Sequence, residues 1–293
     1  MKIRWMLLFV LIACSCRKQM TVDLPDQQHK PVINLLIAKD SLVITQLSYT
    51  GTPNLGPNTQ PWTREIVKNA TVKLYENDVF QEELQLVDLG YNAVYKSTLR
   101  AKPGANYHVT AKIPGYPEME GRDSVPQRVV VGEVSMKEVP SDDRRGRANV
   151  SVQLYDRPGV KNYYRIRLYE QISVQPGNIV YNYLQPIPMI STDPFDILFN
   201  KKERNEFFTN DALYNGRSPR FNFIAVSELN FRYPLVVEVT TLTYDSYNYL
   251  FSAFMASEKN EDVLSEKVIV FNNVHNGFGI VGGMSIDHYY AKK

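Results

Sequence analysis

The sequence predicts a mainly β fold: a sandwich of short strands, then a larger β-rich block with one short helix in its second half. Three observations carry that expectation. Short apolar runs rich in β-branched residues recur at near-regular spacing, and Gly, Pro, Asn and Asp punctuate them. The chain holds 19 Tyr and 13 Phe, whose flat rings pack well across pleated strands. Hydrophobic residues make up 44% and charged residues 22%, enough apolar material for a core and too little charge for a disordered chain.

Residues 1–16 read as a lipoprotein signal peptide with its lipidation site. Lys2 and Arg4 precede the apolar run Trp5 to Ala13, about half of what a membrane-spanning helix needs. Leu11-Ile12-Ala13-Cys14 has the aliphatic and small residues of a lipobox ahead of the cysteine to be acylated; Ala13-Cys14-Ser15-Cys16 offers a second, weaker frame. Cys14 and Cys16 are the chain's two cysteines, so the body holds no thiol for a disulfide or a nucleophile. Residues 17–30 are polar and suit a flexible tether, and palmitate-type acylation predicts a protein held at a bilayer. With Lys2 and Arg4 removed the cations equal the 31 acidic residues. A neutral body gives no reason to expect nucleic acid, which demands clustered cations.

A first domain is expected over residues 31–127. Val32–Ile37 and Leu42–Leu47 are apolar runs around the turn Lys39-Asp40-Ser41, and residues 49–61 form a loop rich in Pro, Gly and Thr. Ala70–Tyr75 alternates with period two and ends at the turn Glu76-Asn77-Asp78. Leu84–Leu86 and Ala93–Tyr95 continue the series. Lys102-Pro103-Gly104 is a tight turn into the strand Tyr107–Ile113, which Pro114-Gly115 ends. Short strands at such spacing predict a sandwich.

The second domain is expected over residues 128–293. Val129–Val131 opens it, the charged run Ser141–Arg147 reads as a solvated hairpin turn, and Val150–Leu154 alternates. Asp156–Gly159 is a turn. In Tyr164–Tyr169, Arg165 and Arg167 share a face opposite Ile166 and Leu168; that face reads as the wet side of a sheet, with an anion site as the alternative. Residues 176–205 are the least regular, and the tract Phe195–Phe199 is expected in the core, with an exposed contact patch as the alternative. Leu235–Leu242 is the strongest strand. A helix begins at Asp245-Ser246, one of them its N-cap, with Tyr247, Leu250, Phe251 and Phe254 forming a stripe that packs on the chain's own sheet. Val268–Phe271 reads as a strand. The glycine-rich segment Asn272–Gly283 leads into the strand-like Gly279–Gly282 and not into a helix, so it fits a strand-turn-strand closure of the sheet and not a phosphate loop.

No chemistry-bearing spacing emerges. His29, His108, His275 and His288 show no zinc-binding spacing, Asn210-Asp211 and Asp142-Asp143 do not fit a calcium loop, and there is no Gly-x-Ser-x-Gly elbow. The expectation is no enzyme, no catalytic residue, no metal and no cofactor.

Several segments, in order, resemble a lipoprotein family of Bacteroidota known as domain of unknown function 4249. They are Val22-Asp23-Leu24-Pro25 after the lipid cysteine, Pro31-Val32-Ile33-Asn34, Asn69-Ala70-Thr71-Val72 and Pro103-Gly104-x-x-Tyr107. Further along come Asp156-x-x-Gly159-x-x-Asn162-Tyr163-Tyr164 and Phe207-x-x-Asn210-Asp211-x-x-Tyr214-Asn215-Gly216. Last is Asn273-Val274-x-Asn276-Gly277-x-Gly279-Ile280. The resemblance implies an immunoglobulin-like N-terminal module, an outer-membrane location and a TonB-dependent receptor as partner; its register favours Cys16 for acylation. The expected function is therefore an accessory lipoprotein of substrate capture or uptake. The alternatives are an assembly subunit without a small-molecule ligand and, third, a degradative enzyme. Tyr49, Trp62, Tyr181, Tyr183, Phe195 and Phe199 are the candidate ligand or partner contacts, because they bring aromatic rings to loops.

Overall fold

The first strands of the chain show how its sequence is used. In β1 (Pro31–Ala38) every second side chain is buried, and β2 (Leu42–Tyr49) returns antiparallel through Asp40 at φ +57°. Period-two burial puts Ile33, Leu35 and Ile37 on one face. This is a computed structural model describing residues 29–51, 65–90, 92–141, 144–175, 177, 179–193, 196, 202–259 and 266–293.

Six more strands complete the first module: β3 (Thr71–Glu76), β4 (Val79–Glu83), β5 (Gln85–Asp88), β6 (Ala93–Arg100), β7 (Asn106–Lys112) and β8 (Met119–Ser124). Strands β1-β2-β6-β5 form one layer and β4-β3-β7-β8 the other. Between them lies a core of Leu35, Leu47, Val72, Leu74, Tyr95 and Val109, among others. The module is thus a β-sandwich, as expected. Its Pro103-Gly104 turn is locked by Tyr107, whose hydroxyl accepts from Lys102 N (2.8 Å) and donates to Glu76 Oε2 (2.9 Å). A tyrosine bonding back to the backbone just upstream is a device of immunoglobulin-type sandwiches, so this turn agrees with the expected kind of module. Strands β4 and β8 escape the sequence pattern because both are edges. In β8 only Met119 and Gly121 are buried, between charged neighbours.

The second module contains β9 (Val130–Val139), β10 (Gly146–Tyr155), β11 (Tyr163–Val174), β12 (Tyr181–Ile187), β13 (Met189–Ser191), β14 (Phe207–Asn210), β15 (Arg220–Ser227), β16 (Leu235–Leu242), α1 (Tyr244–Lys259) and β17 (Phe278–Tyr290). The sheet β13-β15-β10-β9 packs against β12-β11-β16-β17 over a core that includes Val150, Tyr164, Ile166, Phe223 and Val237. Along the chain the first core runs to Val125 and the second begins at Val129, with Val274 and Val281 returning to the first.

Strand β17 joins the modules. It runs parallel to β1, Val32 opposite Phe278 through Ala38 opposite Met284, and antiparallel to β16. One sheet therefore passes through both modules, and Val274 and Val281 pack in the first core. The glycines of this segment exist for close approach. A Cβ on Gly279, at φ +110°, would stand 2.0 Å from Ile33 O; one on Gly283 would stand 1.8 Å from Ser124 O. Asp123 pins the crossing by accepting from Gly283 N (2.8 Å) and from the Thr243 hydroxyl.

Several expectations are corrected. Val268–Phe271 forms no strand. The Gly279–Gly282 segment opens the 13-residue β17 in mid-sheet, where the expectation was a short closure. The irregular stretch 176–205 holds β12 and β13. The N-cap of α1 is Thr243, whose Oγ1 accepts from Ser246 N (3.2 Å). Ser246 is instead fully buried against Gly282, and Asp245 lies in the helix's first turn. The tract Phe195–Phe199 lies outside the described residues except for Asp196.

Candidate functional site

One edge of β11 carries two strands in tandem. Strand β12 pairs with Leu168–Val174, and β14 with Tyr163–Ile166. Alternation along β14 sends Phe207 into the core, 5.6 Å from Phe221 and 5.2 Å from Phe223, and Phe208 to the opposite face. There it meets the apolar stripe of α1, with ring centroids 6.0 Å from Tyr247, 5.7 Å from Phe251 and 5.8 Å from Phe254. Tyr247 and Phe251 stack at 5.6 Å, and Tyr163 of β11 lies 5.1 Å from Tyr247. The stripe thus packs on the chain's own strands, yet remains only half-buried.

The half-exposed rings line a groove of about 820 Å³. Phe208, Tyr247, Phe251 and Phe254 form its aromatic wall; Asn210, Tyr214 and Asn222 add polar groups. Asp193, Asp196, Arg204 and Glu206 also border it. Asp196 pairs with Arg204, whose guanidinium lies 5.2 Å over the Phe207 ring. A concave, largely apolar surface with a few convergent polar groups is the usual form of a small-molecule site.

Two segments singled out in the sequence hold this groove in place. Asp156 accepts from the Tyr164 hydroxyl and from Gly216 N, Asp211 accepts from Asn162 N (2.9 Å), and Asn215 accepts from Gly159 N (2.8 Å). The motifs Asp156–Tyr164 and Phe207–Gly216 are therefore two halves of one knot. Asn210 steadies the turn after β14 by accepting from Ala212 N (3.1 Å). These side chains are structural, and what they support is the groove wall.

Behind Glu206 lies an ion cluster that corrects the reading of Arg165 and Arg167 as a wet sheet face. Arg165 is 7% exposed and stands 3.3 Å from Glu238 and 3.6 Å from Glu206. Arg167 makes a two-pronged bond to Glu238 (2.9 and 2.8 Å), and His288 Nε2 is 3.5 Å from the same carboxylate. Burial pushes the Glu238 carboxyl up, but the bonds and charges of Arg167 and Arg165 outweigh it and hold it below its usual value. Burial wins at Glu206, whose carboxyl is raised despite Arg165. Both arginines are thus already matched by carboxylates, which leaves little for a free anion.

The expected contact residues do not come together. Tyr49 is half-buried beside Tyr116, 5.4 Å between centroids, at the end of β2. Tyr181 and Tyr183 are exposed on β12. Five strand spacings, ~24 Å, separate β2 from β12 across the sheet. Trp62, Phe195, Phe199, Cys14 and Cys16 lie outside the described residues. Sequence reasoning missed Phe208 and Asn222 of the groove, and named Asn210 only in the family motif and the rejected calcium pair. The helix stripe was the available signal for the wall they face.

A family model described as a domain of unknown function, DUF4249, matches residues 17–289, and the chain belongs to that family. Among curated proteins none matches the chain.

Proposed function

We propose that this member of the DUF4249 family is an accessory binding lipoprotein of the outer membrane. In this reading it captures a ligand in the aromatic groove and works beside a TonB-dependent receptor. The groove between β14 and α1 is the observation that carries the capture role: a rigid aromatic wall next to amides and carboxylates, open to solvent on one flank. Rings held at 5.6–6.0 Å from one another are pre-organised, so little ordering opposes binding. The Leu11–Cys14 lipobox and the tether 17–30 support the anchor. Acyl chains keep a captured ligand at high local concentration beside a transport channel, which requires no catalytic step. Palmitate-type modification falls on Cys16 or Cys14.

Titration calorimetry of the acylated protein with oligosaccharides, peptides and ferric siderophores tests the capture role. One class should bind, and Phe251→Ala should weaken it at least 10-fold. Silence for every class would remove ligand capture and favour a subunit that binds only protein. Mass spectrometry of the mature N-terminus should find acyl chains on one cysteine; an unmodified N-terminus would refute the anchor.

A further inference from the structure

The aromatic groove runs along an open strand edge. Strand β14 pairs with β11 on one side, and among the described residues no strand pairs with its other side. Just beyond β14, Asp211 N donates to Asn162 O (3.1 Å), which fixes the parity of the ladder. Asp211, Thr209 and Phe207 therefore turn their backbone groups toward β11, and Phe208 and Asn210 turn theirs away from it. The N–H and C=O of Phe208 and the N–H of Asn210 have no backbone partner among the described residues. Both residues line the groove.

Alternation sets a different wall on each side of this edge. Phe208 points to Tyr247, Phe251 and Phe254 of α1. Thr209 points the other way, where its Oγ1 lies 3.2 Å from the Tyr214 hydroxyl. A strand laid beside β14 meets the aromatic wall with one set of side chains and Thr209, Tyr214 and Asn222 with the other. From Tyr247 to Phe254 the aromatic wall rises ~10 Å along the helix, room for two same-face side chains at a strand's repeat of ~6.8 Å. Ions bordering the groove are matched within the chain: Asp196 by Arg204, Glu206 by Arg165 (3.6 Å) and Arg220 by Glu133 (3.4 Å). Neutral side chains therefore suit its centre.

We propose that the ligand class of this groove is a short extended peptide, bound as an added strand on the free edge of β14. The inference rests on the capture role proposed above and names what is captured. Neither an oligosaccharide nor a metal chelate presents N–H and C=O groups at the repeat of a strand. A peptide brings both parts of the match: main-chain groups for Phe208 and Asn210, and alternate side chains for the two walls. The four residues of β14 limit the ladder to a short guest, which is also how a free edge is kept from open-ended pairing.

The probe is the blocked peptide Ac-Lys-Thr-Phe-Thr-Phe-Thr-Lys-NH2, titrated into the acylated full chain in detergent and followed by calorimetry. It should bind. N-methylation of its five central residues, one at a time, should weaken binding at least 10-fold at alternate positions and less than 2-fold between them. Phe208→Pro lacks the outward N–H and should bind the peptide at least 3-fold more weakly than Phe208→Ala. No binding of the peptide, or N-methyl effects without alternation, would overturn strand addition, whether or not Phe208→Pro folds. Equal affinity of folded Phe208→Pro and Phe208→Ala would overturn it too. An oligosaccharide or ferric siderophore that binds where the peptide does not would remove the peptide and leave capture standing; silence from all three would remove both.

Discussion

Gly283→Ala tests whether the seam between the modules governs stability. The new Cβ would stand 1.8 Å from Ser124 O and 2.7 Å from its carbon, whereas real Cβ atoms essentially never come within 3.0 Å. Both obstacles are backbone, so β17 and the end of β8 must part by ~1.2 Å or more, an overpacking that costs about 1–3 kcal/mol. The same displacement pulls Gly283 N from the Asp123 carboxylate (2.8 Å) and loosens the Ser285 bond to Pro126 O (2.6 Å). A hydrogen bond to a charged group contributes about 1.5–3 kcal/mol. Together the loss is ~4 kcal/mol. With a urea dependence of ~3 kcal/mol per molar, the midpoint should fall by ~1.3 M. Gly115→Ala is the control: φ is +85° but nothing lies within 4 Å, so only backbone strain of about 1 kcal/mol applies, or ~0.3 M. Urea titrations followed by circular dichroism decide the matter. A Gly283→Ala midpoint no lower than that of Gly115→Ala would refute the close-packed crossing.

Asp123 gives a pH signature. Burial raises its carboxyl from 3.8 to about 6, against the bonds from Thr243, Gly283 and Ser124. The proton is held more tightly in the folded chain, so this contribution is complete below pH ~4 and is lost as pH rises through about 6, by ~3 kcal/mol. Asp123→Asn should remove that slope; urea midpoints at pH 4 to 7 that fall alike in both proteins would refute it. Glu238→Ala leaves Arg165 and Arg167 without their shared carboxylate and should destabilise by about 3 kcal/mol, with Glu238→Gln intermediate. Equal midpoints for wild type and Glu238→Ala would show that the cluster contributes nothing net. Tyr107→Phe removes the hydroxyl that joins Lys102 N to Glu76 and should lower stability by about 1–2 kcal/mol. An unchanged melting curve would count against its role in the turn.

The amino-acid sequence by itself determined the elements whose burial is one-sided and local. β1, β3 and β10 alternate in sequence because they alternate in burial, and β16 reads as continuous because all eight residues are buried. The stripe of α1 and the turns at Asp40, Asn77 and Gly104 were legible for the same reason: their constraint lies within a few residues. The family was legible too, through ordered short motifs. What only the tertiary structure decided depends on neighbours distant in the chain. Strands β4, β8 and β12 are edges that bury little, so no period marks them. Arg165 and Arg167 follow strand alternation faithfully, but the sequence does not say that Glu206 and Glu238 close over their face. The groove gathers residues from 192 to 254, and β17 finds its place beside β1 across almost the whole chain. Periodicity records which face of a segment is apolar; what comes to cover that face is settled only when distant segments pack.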